Sequence, residues 1–167
     1  MRETKQNLWV VVLLAMLVLG AGCKPPGARA MFEGEALLKA GKHEAAVAQF
    51  ELAAQHLPME WRAWNYLGLA RHRAGDLSGA SEAYKEAVRL VGARQFSAGH
   101  PSFVLNFNLG RLCLDRQQPA DALRHLSTFA TQDQSFASCF WIAEAYRVNN
   151  QPEGAAEMLR RALEKKT

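Results

Sequence analysis

The 167-residue sequence has three cysteines, Cys23, Cys113 and Cys139, too few for the disulfide framework that staples small secreted domains. It has no glycine-rich phosphate loop and no nucleophile elbow. Its histidines, His43, His56, His72, His100 and His125, fall in different predicted elements without metal-ligand spacing, and His43-Glu44 lacks the second histidine of a helical zinc motif. Glu82 and Glu86 stand four residues apart with Lys85 between them, a pattern that a solvated helix face explains without catalysis. No nucleophile–base pair or metal constellation can be named, so no catalytic residue, metal site or cofactor is assigned, and an enzyme is not the expected function. The net charge is only +4. No basic block is interleaved with stacking aromatics, so nucleic acid is not an expected partner, and no small-molecule substrate is evident. Beyond residue 29 there is almost no strand signal, which excludes a sheet-based fold.

Long apolar runs are absent too, with one short exception. Residues 8–19, LWVVVLLAMLVL, are apolar throughout and follow a charged start containing Arg2 and Lys5. Even extended to Gly22, the run falls short of the ~20 residues that span a bilayer comfortably. A charged start, a short apolar stretch and small residues make an export signal; an uncleaved anchor is the alternative. The small residues end in Ala21-Gly22-Cys23, which resembles the end of a bacterial lipoprotein signal peptide. Gly20 departs from that pattern, which usually has an aliphatic residue there. The resemblance implies that residues 1–22 are removed and that Cys23 becomes the lipidated first residue. Several acyl chains there would anchor it stably, at about 0.8 kcal/mol per buried CH₂. Lys24 stands where the family's inner-membrane retention signal has Asp, which implies an outer-membrane lipoprotein facing the periplasm. Residues 23–29, with two prolines and a glycine, read as the lipidated cysteine and a short tether.

From residue 30 onward apolar residues recur at three and four, interrupted by Gly41, Gly75, Gln117-Gln118-Pro119 and Asn149-Asn150-Gln151-Pro152. Pro119 and Pro152 suit the first helical position, and Asp76 suits an N-cap. Eight helices are predicted, over 30–40, 43–56, 60–74, 77–91, 102–116, 119–131, 135–148 and 152–165. They repeat. Trp64, Leu67, Gly68, Gly75, Ala80, Tyr84 and Ala87 have counterparts at Gly34, Gly41, Ala46, Phe50 and Ala53; at Leu109, Gly110, Ala122 and Leu126; and at Ile142, Ala143, Ala155, Leu159 and Ala162. This resembles the tetratricopeptide repeat, with Arg71 in place of the usual tyrosine and Gly92 in place of the closing proline. The resemblance implies an all-α fold, a right-handed α-α superhelix of four helical hairpins over 30–167, with repeats at about 27–60, 61–94, 103–135 and 136–167. Gly68 and Ala80 are then the points where helix axes approach most closely. Residues 95–102, QFSAGHPS, are an insertion read as a longer helix or a loop, with Phe96 packing locally or meeting a partner. The polar end EKKT partly serves in place of a capping helix. Cys113 and Cys139 fall on successive first helices, offset by about two turns or ~10 Å, beyond the ~7 Å that a disulfide allows; two buried thiols are expected.

In the first helix of repeat two, a 3.6-residue period puts Arg62, Asn65, Tyr66, Leu69, His72 and Arg73 opposite the core stripe. The equivalents are Val104, Phe107, Asn108, Arg111, Leu114 and Asp115 in repeat three. In repeat four they are Phe140, Trp141, Glu144, Arg147 and Val148, and in repeat one they include Met31, Phe32, Glu35 and Lys39. The resemblance implies that this stripe lines a concave groove for extended or helical peptides. The candidate binding residues are Arg62, Asn65, Tyr66, Leu69, His72, Arg73, Phe107, Asn108, Arg111, Trp141, Glu144 and Arg147. Aromatic and arginine side chains favour binding hot spots, and asparagines can bond a peptide backbone as donor and acceptor. The same positions can instead fill the space between neighbouring first helices. Glu35 stands where the carboxylate clamp of chaperone-binding relatives has asparagine, so a C-terminal-carboxylate reader is not expected. The function expected is a membrane-anchored scaffold that binds protein partners in the bacterial envelope. A pilotin-like assembly factor for a secretin or type IV pilus is the alternative, and an envelope enzyme is less favoured.

Overall fold

The computed structural model describes residues 25–92, 101–130 and 135–164. The segment read as a signal peptide, Cys23, and residues 95–100 of the insertion, including Phe96, lie outside the described residues. Among the described residues eight helices run in sequence: α1 (Pro26–Lys39), α2 (His43–His56), α3 (Trp61–Arg73), α4 (Leu77–Val91), α5 (Pro101–Asp115), α6 (Pro119–Ala130), α7 (Phe136–Val148) and α8 (Pro152–Glu164). No strand is present among the described residues. Most boundaries fall within two residues of the sequence expectation. The exception is α1, which begins at Pro26, so residues 26–29, read as tether, form its first turn. A proline at the first helical position loses nothing by lacking an N–H, so this proline-rich stretch starts a helix readily.

Each hairpin closes by the same device. The N–H groups of Gly41 and Lys42 bond the carbonyls of Leu38 and Leu37; Gly75 and Asp76 bond those of His72 and Arg71; Gln117 and Gln118 bond those of Leu114 and Cys113; Asn150 and Gln151 bond those of Arg147 and Tyr146. These are Schellman turns, whose pivot residue needs a positive φ. Gly41 and Gly75 take φ of 71° and 88°, and Gln117 and Asn150 take 58° and 54°. In three of the four hairpins the next helix starts under its own cap or proline: Asp76 Oδ1 accepts from the Gly79 N–H at 2.8 Å, and Pro119 and Pro152 open α6 and α8; α2 follows Lys42 without a side-chain cap.

Within each of the first three repeats the two helices meet where a side chain on the second lies across a glycine on the first. A Cβ placed on Gly34 would come within 2.7 Å of the Phe50 ring, one on Gly68 within 2.6 Å of Tyr84, and one on Gly110 within 2.5 Å of Leu126. Phe50, Tyr84 and Leu126 are fully buried. The core is a row of clusters, one feeding the next, as expected of a stack in which each repeat touches only its neighbours. Ala46, Phe50, Ala63 and Leu67 join repeats one and two. Ala80, Tyr84 and Leu112 join two and three, and Cys113, Leu126 and Ile142 join three and four. Cys113 and Cys139 are both buried free thiols.

The first helices, α1, α3, α5 and α7, touch in succession, whereas the described second helices make no contact with one another. The stack therefore curves with the first helices on its inner side. No described helix is long and apolar enough to cross a membrane.

Candidate binding groove

Two polar ties cross between α3 and α5 on this inner side. Asn108 Nδ2 donates to Asn65 Oδ1 at 2.9 Å, with both residues buried. About two helical turns further on, His72 Nε2 lies 2.6 Å from Asp115 Oδ2. Both ties join residues 43 positions apart. The asparagines thus spend a donor and an acceptor on each other, and His72 spends a ring nitrogen on Asp115. These residues set the stagger of repeats two and three.

Between the two ties lie Leu69 of α3 and Arg111 of α5, and Arg73 follows His72 at the end of α3. The Arg111 guanidinium carbon sits 4.5 Å from the centroid of the Trp141 ring and 5.8 Å from that of Phe107, a cation–π arrangement strengthened by partial desolvation. Phe107 packs in turn on Phe129 at 4.8 Å, and Phe140 meets Trp141 edge-on at 5.5 Å. Burial, and then the neighbouring Arg73 charge, lower the Arg111 pKa; Asp115 and Tyr84 act in the opposite sense. Its Nε is buried without a hydrogen-bond partner.

Toward repeat one the groove deepens into a cavity of about 320 Å³, lined by Glu35, Leu38, Lys39, His43, Tyr66, Leu69 and Arg73. Tyr66 is held there by stacking on Phe50, with ring centroids 5.3 Å apart. Its hydroxyl pKa is raised by burial and then by Glu35. A second cavity, about 380 Å³, lies between α2 and α3 against Trp64 and Arg71. There the polar groups are already committed: Arg71 bonds Glu51 at 2.8 Å and the Gly79 carbonyl at 3.2 Å, and Trp64 donates to the Pro58 carbonyl at 2.9 Å. The inner cavity is the better binding site.

The twelve candidates therefore separate. Tyr66, Leu69 and Arg73 line the cavity, while Phe107, Arg111 and Trp141 form the stack beside it. Asn65, Asn108 and His72 tie helices together. Glu144 and Arg147 pair with each other on α7 at 2.8 Å, which lowers the carboxyl pKa and raises that of the guanidinium. Arg62 lies over the Trp61 ring at 5.3 Å, close to the Glu60 carboxylate. Sequence reasoning passed over His43, Leu38 and the Tyr84 hydroxyl. His43 follows the Gly41 turn directly and so returns to the end of α1 that carries Leu38 and Lys39, a proximity that the turn itself announces. No three His, Cys, Asp or Glu side chains gather around a common point among the described residues.

The profile of the tetratricopeptide repeat matches residues 33–98 and 107–167. The chain belongs to the tetratricopeptide repeat family. Solved structures of this repeat fold superpose on it well. A fragment of MamA from Desulfovibrio magneticus RS-1 shares 17% identity over 86% of this chain and 77% of its own, with a TM-score of 0.71. Another MamA structure shares 16% over 99% of this chain and 92% of its own, again with a TM-score of 0.71. A chain of the APC/C hetero-tetramer Cut9–Hcn1 shares 20%, with a TM-score of 0.72, but the match covers 80% of this chain and only 26% of that one. At these identities the likeness is one of fold. No curated protein gives a significant match. The family and its fold are consistent with a protein–protein interaction scaffold.

Proposed function

We propose that the protein is a membrane-anchored scaffold of the bacterial cell envelope, and that it holds protein partners along its concave face. The observation that carries this reading is the inner cavity of about 320 Å³, with an arginine stacked on two aromatic rings beside it. A rigid aromatic shelf beside an open pocket that holds Tyr66 and an arginine is the surface that binding hot spots favour. The envelope setting rests on the apolar run at residues 8–19 and on Ala21-Gly22-Cys23, with acyl chains on Cys23 as the anchor and Lys24 favouring the outer membrane.

Affinity capture from detergent-solubilised membranes tests the proposal. Several unrelated envelope proteins should be recovered with the wild-type chain and lost when Arg111→Glu is combined with Trp141→Ala. Recovery of a secretin alone would favour the assembly-factor reading. Partners that all stay bound to the double variant would remove the groove from the account.

A further inference from the structure

We propose that the floor of the groove between repeats two and three is a carboxylate site, formed by Arg73, Arg111 and the Tyr84 hydroxyl, for an Asp or Glu side chain of the bound segment. This rests on the groove reading above and adds the chemistry of what it holds.

Buried polar atoms nearly always find a partner. Among the described residues three have none: His43 Nδ1, Tyr84 Oη and Arg111 Nε. His43 lines the inner cavity, and the other two belong to the seam between α3 and α5. The Tyr84 ring is fully buried; it lies across Gly68 of α3 and packs on Leu112 of α5. The hydroxyl therefore ends between those helices, where Arg111 and Arg73 are the charges that act on it. Packing does not require it, because the same position in the other repeats is Phe50, Leu126 or Leu159. Nor does the repeat require an arginine at 111, where its equivalents are Glu35, Leu69 and Glu144.

The Arg73 guanidinium is close enough for its charge to act on that of Arg111. Neither has a carboxylate within 4.0 Å among the described residues. The nearby acids do not pair with them: Asp115 is bonded to His72, Glu144 is bonded to Arg147, and Glu35 of α1 lines the same cavity as Arg73 without coming within ion-pair distance of it. Two cations and an unused hydroxyl are complementary to one anion with two acceptor oxygens. Charge-assisted bonds from arginine to carboxylate are the strong ones. Tyr66 and Leu69 next to the site supply an apolar seat for a neighbouring side chain, which points to a peptide.

The test is selection of displayed random dodecapeptides on the full chain in detergent micelles. Asp or Glu should be enriched at one position. Replacing that acid with Asn or Gln in a labelled peptide should weaken binding about tenfold, as should Arg73→Gln. Tyr84→Phe should weaken binding severalfold while leaving helix content and Tm intact, a result that a purely structural role for the hydroxyl would not give. Peptides that bind without acidic preference, yet are lost with Arg111→Glu and Trp141→Ala together, would overturn the carboxylate site and leave the groove standing. Peptides displaced by phosphatidylglycerol vesicles but not by neutral ones would reassign the site to phosphate and overturn the proposal. Retention of no peptide would overturn the groove reading along with it.

Discussion

His125 shows how a single side chain on α6 ties stability to pH. Its Nδ1 lies 2.8 Å from Asn106 Oδ1 on α5, and its Nε2 lies 3.3 Å from the Arg124 guanidinium. A guanidinium only donates, so Nε2 must offer its lone pair and the ring is neutral. Burial, and then Arg124, lower its pKa, and Asp121 opposes this. Unfolded histidine titrates near pH ~6.5. Below that pH the unfolded chain takes up a proton that the folded ring resists, so stability falls as pH drops through the window under ~6.5. The urea midpoint of the wild type should fall between pH 7.5 and 5.5 by more than that of His125→Gln; equal shifts would show that the ring is not the source. Packing at the hairpin crossing is equally local. Ala80 is fully buried against Tyr84 and Leu112, so Ala80→Leu should cost about 1–3 kcal/mol by overpacking, read as a lowered Tm.

At the scale of the element, the four turns are chemically unequal though geometrically alike. The pivot at Gly41 and Gly75 is free of the steric penalty that Gln117 meets at φ 58°. Gln117→Gly should raise stability by about 0.5–1 kcal/mol, less than the full left-handed penalty because glycine also loosens the unfolded chain. Urea unfolding would show it, and an unchanged midpoint would mean that the penalty is relieved elsewhere. Helix positions were legible in the sequence for the same reason that the turns work: glycine or a polar residue at the pivot, followed by an N-cap or proline, is a local signal. A second local rule emerges only with the structure. Where the late residue of a first helix is long, as with Arg71 or Tyr146, the following helix has glycine near its start. A Cβ on Gly79 would come within 3.0 Å of Arg71 Cδ, and one on Gly154 within 2.7 Å of the Tyr146 ring. The groove was less legible than the helices. A 3.6-residue period tells which residues leave the core but not which neighbour they meet. That depends on the stagger between repeats, which sets Asn65 against Asn108 and His72 against Asp115. No single-helix pattern carries that stagger, so residues of one predicted stripe divide between open surface and inter-helix ties.

For the whole molecule, the consequence of the fold lies in where the stack begins. The first helix starts at Pro26 and packs its second residue, Gly27, against His56 and Leu57 of α2. Only three peptide units separate Cys23 from Pro26, a reach of about 10 Å when fully extended. Acyl chains on Cys23 would therefore hold repeat one at the level of the lipid headgroups, with the groove running away from the membrane repeat by repeat. An uncleaved anchor made of residues 8–19 would hold it nearly as close, so proximity alone does not separate the two readings, but chemistry does. If Cys23 is the anchor, the wild-type chain should take up radioactive palmitate and run at the length left by removal of residues 1–22, and Cys23→Ala should abolish the labelling. If the apolar run stays in place as an uncleaved anchor, the wild-type chain takes up no palmitate and keeps its full length, and the lipidation reading fails. The concave face should bind the same partners in either case, because nothing in the Arg73–Arg111–Trp141 surface depends on how the chain is tethered.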